Sequence, residues 1–343
     1  FAHDGFGVIE LQAQQLDLAP INTLLRKFIP NAVAQEVFTS LDFNGQLRNV
    51  QLRWQQAADW QSKLAFDANL KDVSYSRWEA VPGASGINGR IFGGLGGGEL
   101  HMDTEGFSLF LAKFFAKPWD YHTAQAKLTW ELDAKGFRLR SPYLKVAGDE
   151  GDIAGDFDIQ LFFDDAEQEN YMDLRVGMRS GDASYAARYL PIVLQENYRQ
   201  LDDWLRTAIK SGAVNEGYFQ YQGSIASGTP GTATSISLFF DTEQARLAYQ
   251  PGWPELNNAK AQVFVHDWGV QVELEQGKVL DSLVKSAMAE VVYAPEGQET
   301  SLVVNADLDS SVVDGLHLLQ QTPLAEQASA FADWNGNGVV PAS

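Results

Sequence analysis

The chain contains no cysteine. That excludes disulfides, thiolate metal sites and a cysteine nucleophile. Basic residues are scarce: 25 Lys and Arg stand against 45 Asp and Glu, a net charge of −20. A duplex binder needs a Lys/Arg stripe to displace counterions, so nucleic acid is not an expected partner. The same deficit argues against adsorption to anionic headgroups. No apolar run reaches the ~20 residues that span a bilayer, and no signal peptide opens the chain. The first of the 343 residues is Phe, not Met, and the chain reads as a fragment of a longer protein.

Catalytic and metal-binding signatures are missing too. The five histidines, His3, His101, His122, His266 and His317, fit neither H-x-x-x-H nor H-E-x-x-H spacing, so zinc is not expected. His101 and Asp103 share one face of a strand, but no G-x-S-x-G accompanies them. Asp333, Asn335, Asn337 and Gly338 resemble half a calcium loop, without the Glu that would complete it; the stretch reads as a turn before a strand. Glycines 93–98 lack the Lys-Ser/Thr and the following helix of a phosphate cradle, and read as a flexible turn. The acidic run 148–158 reads as a solvated hairpin tip leading into a strand. Pro251-Gly252-Trp253-Pro254 reads as a rigid corner. No enzyme, cofactor or metal is expected.

What the chain has in quantity is alternation with period two. Apolar residues make up 45% of it, enough for a core. Leu128, Trp130 and Leu132 alternate with polar residues, as do Phe157, Ile159, Leu161 and Phe163. So do Leu174, Val176 and Met178; Ile236, Leu238 and Phe240; and Val270, Val272 and Leu274. Phe137 with Leu139 and Val263 with Val265 follow the same rule. Such segments number roughly fifteen, recur about every ten residues and are punctuated by Gly, Asn or Asp, the pattern of meandering antiparallel strands. Helices are few. One is expected near 196–210, with Tyr198, Leu201, Leu205, Ala208 and Ile209 on one stripe and Gly212 capping its end. A second helical region is expected near 20–40.

The pattern repeats. Leu24–Pro30 matches Ala186–Pro191, with the two prolines 161 residues apart, and a weaker third copy starts near Leu316–Pro323. Each of the first two matches precedes a helical stretch, a glycine (Gly45, Gly212) and an aromatic strand. The expected organisation is one repeat over 1–181, a second over 182–308 and the start of a third over 309–343.

A sheet with one apolar face must cover that face or use it. Two classes stay open: a β-sandwich binding or adhesion module, and a trough that leaves its apolar face for a ligand. Tyr189-Leu190-Pro191, the stretch Leu201–Ile225 with its W-L-x-x-A-I core, Leu247–Leu256 with Y-x-P-G-W-P, and Thr322–Gly338 are similar to the repeating core of the AsmA-like family, YhdP branch. Leu100-His101-Met102 and Lys117-Pro118-Trp119 in the weaker copy resemble further elements of it. The resemblance implies a mainly β fold: an extended antiparallel sheet curled into a U-shaped apolar groove. It also implies a function, carriage of phospholipid acyl chains between the inner and outer membranes of a Gram-negative envelope. The expected partners are phospholipid acyl chains, an inner membrane reached through an N-terminal helix of the parent protein that is absent here, and envelope proteins. The expected location is the periplasm. The residues that would line the groove are the alternating apolar ones named above.

Overall fold

The structure is a computed structural model that describes residues 2–4, 7–20, 40–56, 59–78, 81–163, 169–225, 233–267, 269–292 and 301–342. The helical region expected near 20–40 lies, apart from its ends, outside the described residues. The chain divides into two units: residues 1–176 with 221–234, and residues 177–220 with 235–343.

The first unit is built of β1 (Ala2–Asp4), β2 (Val8–Asp17), β3 (Asn44–Gln55), β4 (Leu64–Tyr75), β5 (Gly83–Gly94), β6 (Gly97–Phe110), β7 (Trp119–Leu132), β8 (Gly136–Gly148) and β9 (Gly151–Phe162). Each strand pairs antiparallel with the next, from β1 through to β9. β10 (Tyr171–Asp182), β11 (Ile209–Ser224) and β12 (Thr234–Leu247) carry residues of both units. The second unit continues with β13 (Leu256–His266), β14 (Gly269–Val279), β15 (Ser282–Val292), β16 (Ser301–Ser311) and β17 (Val339–Ala342). Here too every strand from β12 to β17 pairs antiparallel with its sequence neighbour. The fold is mainly β, an antiparallel meander, as the alternation requires.

Among the described residues three short α-helices interrupt the second unit: α1 (Ile192–Asn197), α2 (Arg199–Ala208) and α3 (Val312–Gln321). The helix expected near 196–210 exists, but its packing differs from the expected stripe. Leu201 is exposed, while Asp202 is buried against Arg206 (Nε–Oδ2 2.7 Å). Gly212 caps nothing, because β11 starts directly after α2 and Gly212 lies inside it. Ser311 caps α3 by accepting from the Asp314 amide, and Asp314 in turn accepts from Ser282 Oγ at 2.7 Å.

Bulges punctuate the long strands. Asn49 and Asp72 in the first unit and Gln244 and Asn258 in the second sit at register breaks with φ near +50°. One extra residue on one side of a pair bends the strand and raises its twist. Deep burial is local. Val73, Ile87, Met102, Phe107, Tyr121, Ala124, Ala126 and Val146 form one core, and Ala259, Ala261, Leu274 and Val284 a second.

Candidate functional site

Cross-strand partners share a face of a sheet. In the first unit one such row runs Leu11, Leu52, Phe66, Gly93, Gly98, Trp130, Leu139, Ile159 across β2 to β9. The next row on that face contains Ala68, Ile91, Leu100 and Leu128, and the one after it Leu70, Gly89, Met102, Ala126, Leu144 and Gly155. In the second unit the rows read Leu238, Val265, Val270, Val291, Leu302 and then Phe240, Val263, Val272, Ala289, Val304. No Asp, Glu, Lys or Arg occurs in any of these rows.

The face is graded. Ala124 and Ala126 are 1% exposed, whereas the row through Trp130, Leu139 and Ile159 is half-buried and Leu302 and Val304 are exposed. A face packed dry against another layer would be buried throughout, like the two alanines. The half-buried rows are an apolar surface with room on it.

Small residues shape the middle of the face. Gly or Ala at these positions leaves room above the backbone for a large side chain from a neighbouring strand. Phe66 and Trp130 stand three strands apart with Gly93 and Gly98 between them, and their rings stack at 6.2 Å, 6° from parallel. A Cβ on Gly98 would lie 2.5 Å from Trp130 Cη2, so the indole lies over the glycine. The second unit repeats the device: a Cβ on Gly217 would lie 2.9 Å from Phe240 Cδ1 and 3.6 Å from Met178 Cβ.

Each residue expected to line a groove has a definite place. Leu128, Trp130, Leu132, Phe137, Leu139, Phe157, Ile159 and Leu161 share the apolar face of β7 to β9. Leu174 and Val176 point away from Arg175, which pairs with Asp156 on the polar face. Met178 faces Gly217 and Phe240. Ile236, Leu238, Phe240, Val263, Val265, Val270, Val272 and Leu274 share the face of β12 to β14. Phe163 follows the end of β9 and is 59% exposed, and Leu274 belongs to the buried core. Sequence reasoning passed over Leu52, Phe66, Ile91 and Leu100. For Ile91 and Leu100, glycine at same-face positions of β5 and β6 breaks the apolar alternation that would have revealed them.

Two local expectations need correction. Gly93, Gly94, Gly97 and Gly98 are strand residues, and the turn between β5 and β6 is only two residues long. The acidic hairpin tip is not wholly solvated, since Glu150 is 1% exposed and packs against Gly148 and Tyr121. The Gly/Asn stretch 333–338 does precede a strand, β17.

The opposite face of the first unit is polar and paired. Arg90 bonds Asp67 (Nε–Oδ1 2.9 Å), Arg138 bonds Asp158 (Nε–Oδ1 2.9 Å), and Arg175 bonds Asp156 (2.7 Å). Glu99 holds His101 Nε2 at 2.7 Å and Lys127 Nζ at 3.1 Å. Hydrogen bonds from Arg90 and Arg138 hold the Asp67 and Asp158 carboxyls below the usual carboxylate range. Those from His101 and Lys127 do the same for Glu99. Among the described residues no group of three or more His, Asp or Glu is arranged to hold a metal ion, and no helix is long and apolar enough to cross a membrane.

Comparison with known proteins agrees with this geometry. The family model described as YhdP protein matches residues 2–335. The intermembrane phospholipid transporter YhdP of Escherichia coli (strain K12) is 25% identical over 328 residues, covering 94% of this chain. The chain spans 25% of that relative's length. No solved structure matches it. With an uncharged apolar face and a family match over nearly its whole length, the chain belongs to the YhdP family.

Proposed function

We propose that this chain is a segment of a phospholipid transport protein and that its uncharged face carries acyl chains. One observation carries the reading: each unit presents apolar rows free of charge, stretches of which are half-buried or exposed. Each CH₂ moved from water onto such a wall is worth ~0.8 kcal/mol, so a long acyl chain is held without any specific contact. Specificity for a headgroup is unnecessary, because the headgroup stays in water. The printed name of the Escherichia coli relative, an intermembrane phospholipid transporter, supports the same reading.

The finer reading follows from it. The chain is an interior part of a periplasmic conduit anchored to the inner membrane through another part of its parent, with envelope proteins as partners and no catalytic role. Its repeats run over 1–181, 182–308 and from 309 onward, and its lining residues are the alternating apolar ones from Leu128 to Leu274. The test is extraction of the purified chain with organic solvent and mass spectrometry of the extract. Phospholipid should be recovered, and Leu238→Asp should lose it while the circular dichroism spectrum holds. Leu238 is half-buried, so the carboxylate of the substituted aspartate stays hydrated in the empty state. An extract with no more phospholipid than that of an unrelated protein from the same host would sink the reading.

A further inference from the structure

The two units arrange aromatic rings and charges differently at particular positions of their polar faces. In the first unit Asp67, Glu99, Asp156 and Asp158 are each paired with a cation of the same unit. Arg90 lies over Phe92 at 5.3 Å while bonding Asp67. Elsewhere Arg77 lies over Phe110 at 5.8 Å and Arg188 over Tyr185 at 5.3 Å.

In the second unit Tyr218, Phe239 and Phe264 form a ladder across β11, β12 and β13, with ring centroids 6.1 and 5.1 Å apart. Phe239 pairs with Phe264 on the face opposite Leu238 and Phe240. Tyr218 is 49% exposed and Phe264 37%. Among the described residues no guanidinium covers these rings. Three carboxylates stand on the same face: Asp241 two residues beyond Phe239, Glu273 opposite Gln262, and Glu290 opposite Gln271. Among the described residues none of the three has a cation in contact. At one end of the ladder the Tyr218 hydroxyl donates to Glu216, which Arg179 approaches at 3.7 Å; Lys260 sits 2.5 Å from Glu275 within electrostatic reach of Asp241, and His266 sits 3.1 Å from Asp267.

We propose that the Tyr218–Phe239–Phe264 ladder is a docking surface for a polypeptide segment that presents arginine beside an apolar side chain. The guanidinium would take the place over a ring that Arg90 takes over Phe92, with Asp241, Glu273 and Glu290 as its counter-charges. The apolar side chain would cover the remaining ring surface. Arginine suits the surface better than lysine, because its planar group stacks on a ring and bonds a carboxylate at once. Charge argues against the other occupants. A second copy of this chain would bring −20 against −20, and an anionic lipid surface would meet the same carboxylates.

The probe is a fluorescein-labelled, amidated Arg-Leu-Arg-Leu-Arg peptide, titrated into the purified chain by fluorescence anisotropy at low salt. Its Lys-Leu and Glu-Leu counterparts serve as comparisons. The arginine peptide should bind, the lysine peptide several-fold more weakly and the glutamate peptide not at all. Phe239→Ser with Phe264→Ser should weaken binding at least tenfold, as should Asp241→Asn with Glu290→Gln. Phe264→Tyr should bind as wild type, and every variant should keep its circular dichroism spectrum and phospholipid content. Binding unchanged in both double variants, equal binding of the glutamate peptide, or no binding of the arginine peptide overturns the proposal. Concentration-dependent self-association that Phe264→Ser abolishes would assign the patch to a second copy and overturn it equally.

Discussion

Gly98 is absent of side chain for a spatial reason. Its Cβ would fall 2.5 Å from Trp130 Cη2 and 2.6 Å from the Phe92 carbonyl oxygen, and that oxygen is backbone and cannot step aside. Even one methyl group must therefore displace the strand or lift the indole off it. We expect Gly98→Ala to lower the unfolding free energy by about 1–3 kcal/mol in a denaturant titration. Gly315, inside α3, has nothing within 4 Å of its missing Cβ. Gly315→Ala should instead stabilise the chain by about 0.5–1 kcal/mol, because only backbone entropy changes there. Equal effects at the two positions would show that the space over Gly98 is not filled by Trp130.

The bulges are the distinctive feature of the strands as elements. Asn258 sits at one, between the paired positions Asn257 and Lys260, with φ +50° and an exposed side chain. With little to pack against, its identity is set by the backbone, and asparagine tolerates the left-handed region. Asn258→Val, β-branched, should cost about 1–2 kcal/mol in thermal or chemical unfolding, whereas Asn258→Gly should cost nothing. A valine variant as stable as wild type would mean that the bulge has moved or closed. α2 shows the limit of pattern at this scale. A stripe of apolar residues marks an amphipathic helix, yet the helix buries Asp202 beneath an exposed Arg206 and leaves Leu201 out.

At the scale of a whole unit, the consequence is that the apolar face continues from strand to strand, as it does from β2 to β9. Ile159 and Gln160 are neighbours on β9 with opposite directions, one in the row with Leu139 and Trp130, the other opposite Arg138. The same carboxylate placed at each position separates the faces. Charge in an apolar lipid path costs ~2.5–3.5 kcal/mol or more, so Ile159→Asp should slow pick-up of a fluorescent phospholipid from vesicles several-fold. Gln160→Asp meets Arg138 and water and should leave pick-up unchanged. Slowing by Gln160→Asp alone would put the lipid on the wrong side of the sheet.

Strand identity and the composition of each face were legible in the residues alone, because side chains alternate with period two whatever the partners are. Leu128, Trp130 and Leu132 share a side in any strand, and so do Val270, Val272 and Leu274. The antiparallel meander was legible for a related reason, since short turn-rich gaps leave no room for a crossover. Alternation within one strand says nothing of its register against the next. It therefore could not show that Phe66 meets Trp130 over two glycines, or that Glu150 at a hairpin tip is buried. Nor could it show that Asp67, Glu99, Asp156 and Asp158 find cations while Asp241, Glu273 and Glu290 do not. Those outcomes rest on distances between residues far apart in the chain, and only the packed strands set them.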